Sequence, residues 1–276
     1  MTETNAKANA KANAKGMALV IGVEHVDETK YRGWSGKLNC TSNDANAIAE
    51  LAKEKGFSTT LLLTSDATTH GVKEGILHAA SELESGDIFF MYYSGHGGST
   101  NDKSADEAGD GKDETLCLYD AQLLDDELYV LWPHFAAGVR VLVVADCCHS
   151  GSMTRNAVDD DLVVRAMDER SANRLMRADP ERYSRVRSGL ETGGEISATV
   201  KLISGCQDHQ QSFEAKSLGH GQMTSALLAV MKEGSVQSYA DIHAAILEKM
   251  PEYQQPNLFE IGTENLQFNS EAPFTI

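Results

Sequence analysis

Residues 138–152 read GVRVLVVADCCHSGS. Val139, Val141, Leu142, Val143, Val144 and Ala145 form an almost unbroken apolar, largely β-branched run, the pattern of a strand buried on both faces of a parallel sheet. The run stops at Asp146, and Cys147, Cys148, His149, Ser150, Gly151 and Ser152 follow. Open α/β sheets place their sites beyond the carboxyl ends of strands, where the connecting loops converge. A carboxylate and a thiol at such an end mark a candidate site.

Residues 87–93, DIFFMYY, repeat the design and run into Ser94, Gly95, His96, Gly97 and Gly98. Side chains alternate along an extended chain, so Ser94 and His96 share one face, as do Asp146 and Cys148. If the two strands are neighbours, a His and a Cys stand side by side with a Ser and an Asp below them.

Working outward, apolar runs predict further strands over 17–23, 58–63, 199–204 and 257–261, and a short one over 116–119. Helical spacing predicts helices over 43–56, 69–83, 125–137, 222–232 and 239–250. Strands alternating with helices imply an α/β fold, a mostly parallel sheet of about six strands covered on both sides. Residues 99–115 are polar and acidic and read as a loop. Residues 1–15, rich in Asn, Ala and Lys, read as a disordered, solvated tail, leaving 16–276 as one domain. Within it, 155–197 reads as an Arg-rich insertion of mixed charge, exposed and partly helical; Arg32 and Arg140 are the only arginines outside 155–187.

The 276 residues carry a net charge of -17, which argues against nucleic acid, since phosphate binding wants a basic face. Five cysteines without a disulfide-framework spacing suit a reducing compartment, and no signal peptide or membrane span is apparent, so the expected location is cytoplasmic. Consecutive Cys147, Cys148 and His149 cannot wrap one zinc ion. SGHGG leads into an acidic loop and not a helix, which disfavours a nucleotide site.

A thiol with an ordinary pKa is only a few per cent thiolate at neutral pH, so a nucleophilic cysteine needs a base. His96 suits that part because imidazole takes and returns a proton near neutrality. The backbone amides of Gly97 and Cys148 are placed to hold an oxyanion, with glycines letting a substrate carbonyl approach.

YYSGHGG followed some fifty residues later by DCCHSGS resembles the caspase-like peptidases, most closely the metacaspases and their prokaryotic relatives, the orthocaspases. Supporting stretches are Asn43-Asp44-Ala45, DGKDETLCLYD, Leu131-Trp132 and ISGCQDHQQS at 203–212. The resemblance implies a three-layer α/β/α sandwich and a cysteine endopeptidase using His96 and Cys148, since the family pattern D-x-C-H-S-G selects Cys148 over Cys147. It implies cleavage after Arg or Lys in a pocket lined by Asp44, Asp146, Ser94 and Cys40, although one extra residue separates Cys40 from Asp44 relative to the family's spacing. It also implies stimulation by calcium at Asp113, Asp125 and Asp126, a further ligand position being taken here by Arg155. Self-processing in the Arg-rich segment makes Arg170, Arg174, Arg177, Arg182, Arg185 and Arg187 candidates. Expected partners are protein or peptide substrates, with no organic cofactor, no membrane and a monomeric state. The competing reading is a catalytically silent caspase-fold scaffold or binding module.

Overall fold

The computed structural model describes residues 14–101, 112–148, 161–182, 194–207 and 209–276. In chain order the strands are β1 (Gly16–Gly22), β2 (Ser58–Leu63), β3 (Ile88–Ser94), β4 (Gly97–Asn101), β5 (Lys112–Cys117), β6 (Gln122–Leu124), β7 (Arg140–Asp146), β8 (Leu162–Val164), β9 (Thr199–Ser204), β10 (Phe213–Ala215), β11 (His220–Gly221) and β12 (Asn257–Gly262). The helices are α1 (Thr41–Glu54), α2 (Thr69–Glu82), α3 (Asp125–Tyr129), α4 (Glu169–Ala178), α5 (Gln222–Glu233), α6 (Tyr239–Lys249) and α7 (Leu266–Ser270).

The central sheet has the order β12-β9-β7-β3-β1-β2, parallel except for the antiparallel edge strand β12. Its apolar runs divide by the two-residue period of a strand. Leu19, Ile21, Phe89, Met91, Val141 and Val143 face one layer with Val72 and Ile76 of α2, Trp132 and Phe135. Ala18, Val20, Phe90, Tyr92, Leu142 and Val144 face the other, packing with Ile48 of α1, Leu227 of α5, Ile246 of α6 and Phe268 of α7. Each such fully buried aliphatic or Phe side chain contributes about 1.5–3 kcal/mol of burial free energy, so both faces of the run are committed to the core. The result is the three-layer α/β/α sandwich with six central strands that the sequence predicts.

Local signals set several helix ends. Thr68 and Ser238 cap α2 and α6 by accepting from the amides of Gly71 and Asp241. Gly234 closes α5 in the left-handed conformation that glycine adopts without strain.

Three expectations need correction. The helix predicted over 125–137 stops at Tyr129 and continues as a separate turn, Trp132–His134, because Pro133 has no N–H to give the carbonyl of Tyr129. The stretch 99–115 is not all loop. Its ends pair as the antiparallel ladder β4–β5, with Thr100, Asp113 and Thr115 buried, and the strand expected at 116–119 is the tail of β5. The Arg-rich insertion is exposed only in part. Its residues Leu162–Val164 form β8, which pairs with β10 and leads into the fully buried Arg165. The tail residues 1–13, Arg155, Arg185 and Arg187 lie outside the described residues.

Candidate active site

The site lies where the strand order reverses. From β1 the chain runs through α1 to β2 on one side of the sheet, and through α2 to β3 on the other, which opens a crevice at the carboxyl ends of β1 and β3. Strands β3 and β7 are parallel neighbours with Ser94 opposite Asp146. His96 and Cys148 each follow two residues after these paired positions, just beyond the two strand ends. Cys147 points into the layer with Val141, Val143 and Ala145, as alternation requires.

The polar floor is built from three segments far apart in sequence. Asp44, in the first turn of α1, accepts from Ser94 Oγ (2.8 Å) and the Gly221 amide (3.1 Å), and also pairs with His220 Nδ1 (2.8 Å). Asp146 accepts from Ser212 Oγ (2.8 Å), the Thr224 amide (3.0 Å) and Thr224 Oγ1 (2.6 Å). Glu214, on β10, accepts from the Asn39 amide (2.8 Å), Asn39 Nδ2 (2.9 Å) and the Cys40 amide (3.1 Å). Three donors on each carboxylate fix a cluster of negative charge at the end of the sheet.

Arg165 fills it. Its side chain is 0% exposed, with Nη2 2.6 Å from Asp44 and 3.7 Å from Glu214, and Nη1 3.1 Å from Asp146. Burial alone would raise the pKa of Asp44, but Arg165, His220 and Ser94 together hold it below the usual carboxylate range. The bond to Asp44 holds His220 above its ordinary value against the opposing effect of burial. Burial works against the Arg165 charge, and Asp146 and Asp44 outweigh it, so the guanidinium stays ionised.

The backbone of Arg165 is held as closely as its side chain. Its carbonyl oxygen accepts from the amides of Gly97 (3.0 Å) and Cys148 (3.3 Å), and its own amide donates to the Ser212 carbonyl (2.8 Å). The Met167 amide donates to the Gly97 carbonyl (2.7 Å). The Cys148 thiol also faces the Ser212 carbonyl, at 3.8 Å. His96 lies beside Trp34, with ring centroids 5.0 Å apart, and faces the backbone of Gly36 and Ala166. Burial, and then the Arg165 charge, push the His96 pKa down to about 3, so the imidazole is neutral while Arg165 fills the pocket.

Burial helps to hold other thiols of the site protonated. Cys40, at the N-cap of α1, is pushed up to about 11 by burial and by Glu214; it contributes its backbone amide to the pocket wall while its sulfur faces the Ala215 carbonyl at 4.0 Å. Burial raises Cys147, and Cys206 is raised by its hydrogen bond with Cys148 and by burial. Among the described residues no cysteine is in a disulfide.

The pairing of β5 with β6 brings Asp113 and the Asp125–Asp126 pair to the same end of their small sheet. Among the described residues no three His, Cys, Asp or Glu side chains converge to hold a metal ion. Arg170, Arg174 and Arg177 lie on α4, where a helical backbone cannot present an extended peptide to a thiol, and Arg182 donates to the Gln122 carbonyl (2.7 Å). Among the described residues no helix is long and apolar enough to cross a membrane.

The caspase domain matches residues 15–267, nearly the whole described chain. This chain belongs to the caspase-domain family. It is 28% identical to metacaspase-1A of Neurospora crassa over 82% of its own length and 58% of that protein's. With metacaspase-3 of Trypanosoma cruzi the identity is 31%, over 66% and 51% of the two chains. The chain thus spans little more than half of these curated relatives. The crystal structure of protein GSU0716 from Geobacter sulfurreducens superposes with a TM-score of 0.83 at 43% identity, covering 95% of this chain and 98% of that one.

In this caspase domain the sequence analysis missed Glu214, His220 and Arg165. The first two sit on strands of three and two residues, too short for a periodic signal. Arg165 was one arginine among many, and the apolar Leu162, Val163 and Val164 just before it were the available clue. Gly221 was also overlooked: a Cβ there would lie inside contact distance of Asp146 Oδ2 and Arg165 Nη1. Its φ is not left-handed, so the requirement is for space and not for backbone freedom. Gly221→Ala is expected to lower stability by about 1–3 kcal/mol, read as a lower melting temperature, because the added methyl would push against the Asp146–Arg165 pair. An unchanged melting temperature would mean that the floor accommodates a methyl group without cost.

Proposed function

We propose that this caspase domain is a cysteine endopeptidase that cuts after arginine and, less well, lysine. The observation that carries the reading is the Arg165 guanidinium, fully buried among Asp44, Asp146 and Glu214 with its carbonyl at the Gly97 and Cys148 amides. A peptide with arginine at the same position would offer its carbonyl carbon to the Cys148 sulfur. His96 would take the thiol proton and return it to the departing amine, while the two amides hold the oxyanion. Water would then release the acid from the thioester, with His96 again as base.

Arginine should surpass lysine because its two terminal nitrogens meet different carboxylates at once, whereas an ammonium is a single point charge. An aspartate would meet three like charges. A peptide panel varying only the residue before the cut is expected to rank arginine above lysine and to show no cleavage after aspartate. Equal rates after arginine and aspartate would overturn the reading. Covalent labelling by an arginine-based thiol-reactive inhibitor, lost in Cys148→Ala, separates a peptidase from the scaffold alternative.

Calcium stimulation rests on the shared position of Asp113, Asp125 and Asp126 and on likeness to metacaspases, and no step above is routed through a metal. Activity lost in a chelator and restored by calcium would support it. Activity indifferent to both would remove it.

A further inference from the structure

Strands β7 and β9 are parallel neighbours whose ladder ends with Ala145 opposite Ser204. The two chains stay together beyond it. A Cβ on Gly205 would lie 2.8 Å from the Cys147 carbonyl oxygen and 3.0 Å from its amide nitrogen, so a glycine there lets the backbones run on side by side. One residue further along each chain stand Cys148 and Cys206, both buried, and the Cys206 thiol makes a side-chain hydrogen bond with Cys148. Neighbouring extended chains lie about 4.8 Å apart, and residues one step out of register about 6 Å, which is within the Cα span that a disulfide bridges. The surroundings are fixed. Cys148 Sγ faces the Ser212 carbonyl at 3.8 Å and Cys206 Sγ the Gln210 carbonyl at 3.6 Å, while Gln254 Nε2 donates to the Gly205 carbonyl (2.9 Å) and to Ser212 Oγ (3.0 Å). A buried cysteine is commonly a small apolar filler, as Cys147 is in its layer. That explanation does not require two sulfurs to meet, and here they do.

We infer that Cys148 and Cys206 are an oxidation site for peroxide, joining in a reversible disulfide in which Cys206 resolves the oxidised nucleophile and keeps it in a protected, inactive form. The inference rests on the peptidase reading above for the loss of activity, and the bridge itself does not depend on it. The Cys148 thiolate would attack one oxygen of hydrogen peroxide and break the O–O bond. Its sulfur becomes a sulfenic acid, and the departing hydroxide takes up the proton that the thiol gave away and leaves as water. The Cys206 sulfur would then attack the Cys148 sulfur, forming the S–S bond and expelling a second water that carries the Cys206 proton. Two electrons have passed from the sulfurs to the peroxide. A dithiol returns them, becoming a disulfide itself and restoring both thiols. Without a second sulfur beside it, the sulfenic acid is open to further peroxide and goes on to a sulfinic acid, which dithiols do not reduce.

The test uses the full chain, first reduced and then exposed to hydrogen peroxide. Non-reducing digestion and mass spectrometry are expected to find the peptides holding Cys148 and Cys206 joined, and separated again by dithiothreitol. Cleavage of an arginine peptide should be lost in proportion to the bridged fraction and should return with the reductant. Cys206→Ser keeps a donor for the Gln210 carbonyl and removes the second sulfur. Each protein is scored against its own rate before oxidation. The variant is expected to lose activity that dithiothreitol does not restore, with Cys148 found as the sulfinic acid. A bridge between Cys147 and Cys148, an inactivated parent without any bridge, or equal recovery of parent and variant would overturn the inference and leave the peptidase reading intact. A parent that forms the 148–206 bridge but cleaves no arginine peptide when reduced would uphold the thiol pair and sink the peptidase reading.

Discussion

Cys148→Ala is expected to lower cleavage of arginine peptides by at least about 10^4-fold, because removing a nucleophile leaves only the oxyanion cradle and substrate binding to act. The substitution deletes one sulfur from a buried position and leaves the Cys148 amide at the Arg165 carbonyl, so the pocket and cradle persist and the melting temperature should hardly move. The informative comparison is the same change one residue earlier. Cys147 packs in the opposite layer, with Val143 and Ala145, and Cys147→Ala should cost about 1 kcal/mol of stability while sparing cleavage. His96→Ala should resemble Cys148→Ala in rate, since the imidazole is the proposed base of the dyad. If Cys147→Ala lost activity and Cys148→Ala kept it, the assignment of faces along β7 would be wrong.

The faces along β7 were readable in advance because the strand is buried on both sides. A seven-residue run with a strict period fixes which residue meets which layer, and the runs ending at Ser94 and Asp146 are neighbouring strands in register, as the sequence reading expects. Asp44 was reachable only through family resemblance, since it sits on a helix and nothing in its local pattern points to a sheet end. The rest of the pocket was not legible. Glu214 and His220 belong to β10 and β11, whose pairing depends on β8, and Arg165 reaches the site only because those three short strands come together. Such strands gain their stability from partners distant in sequence, and composition reads them as loop or charged insertion. Pro133, in contrast, was visible in the sequence, and the overlong helix prediction gave it too little weight.

Asp146→Ala should reduce kcat/KM on arginine peptides by about 2–5 kcal/mol, roughly 30- to 5,000-fold, as truncating one member of a buried charge pair does. The loss combines the missing attraction at Nη1 with the stranded donors of Ser212 and Thr224, which would face a cavity in place of a carboxylate. Asp146→Asn separates most of the two contributions: its one carbonyl oxygen can keep both Thr224 donors, its amide group donates to the Ser212 hydroxyl, and the charge is gone. Its melting temperature should stay near that of the parent while the arginine rate still falls. A peptide with citrulline before the cut sharpens the test: it has nearly the shape of arginine without its charge, so the arginine-over-citrulline preference should shrink in both variants. The shrinkage measures coupling between the carboxylate and the guanidinium, free of any general damage to the fold. An undiminished preference in Asp146→Asn would mean that Asp44 and Glu214 carry the selectivity alone, with Asp146 serving only to anchor Ser212 and Thr224 beneath the thiol.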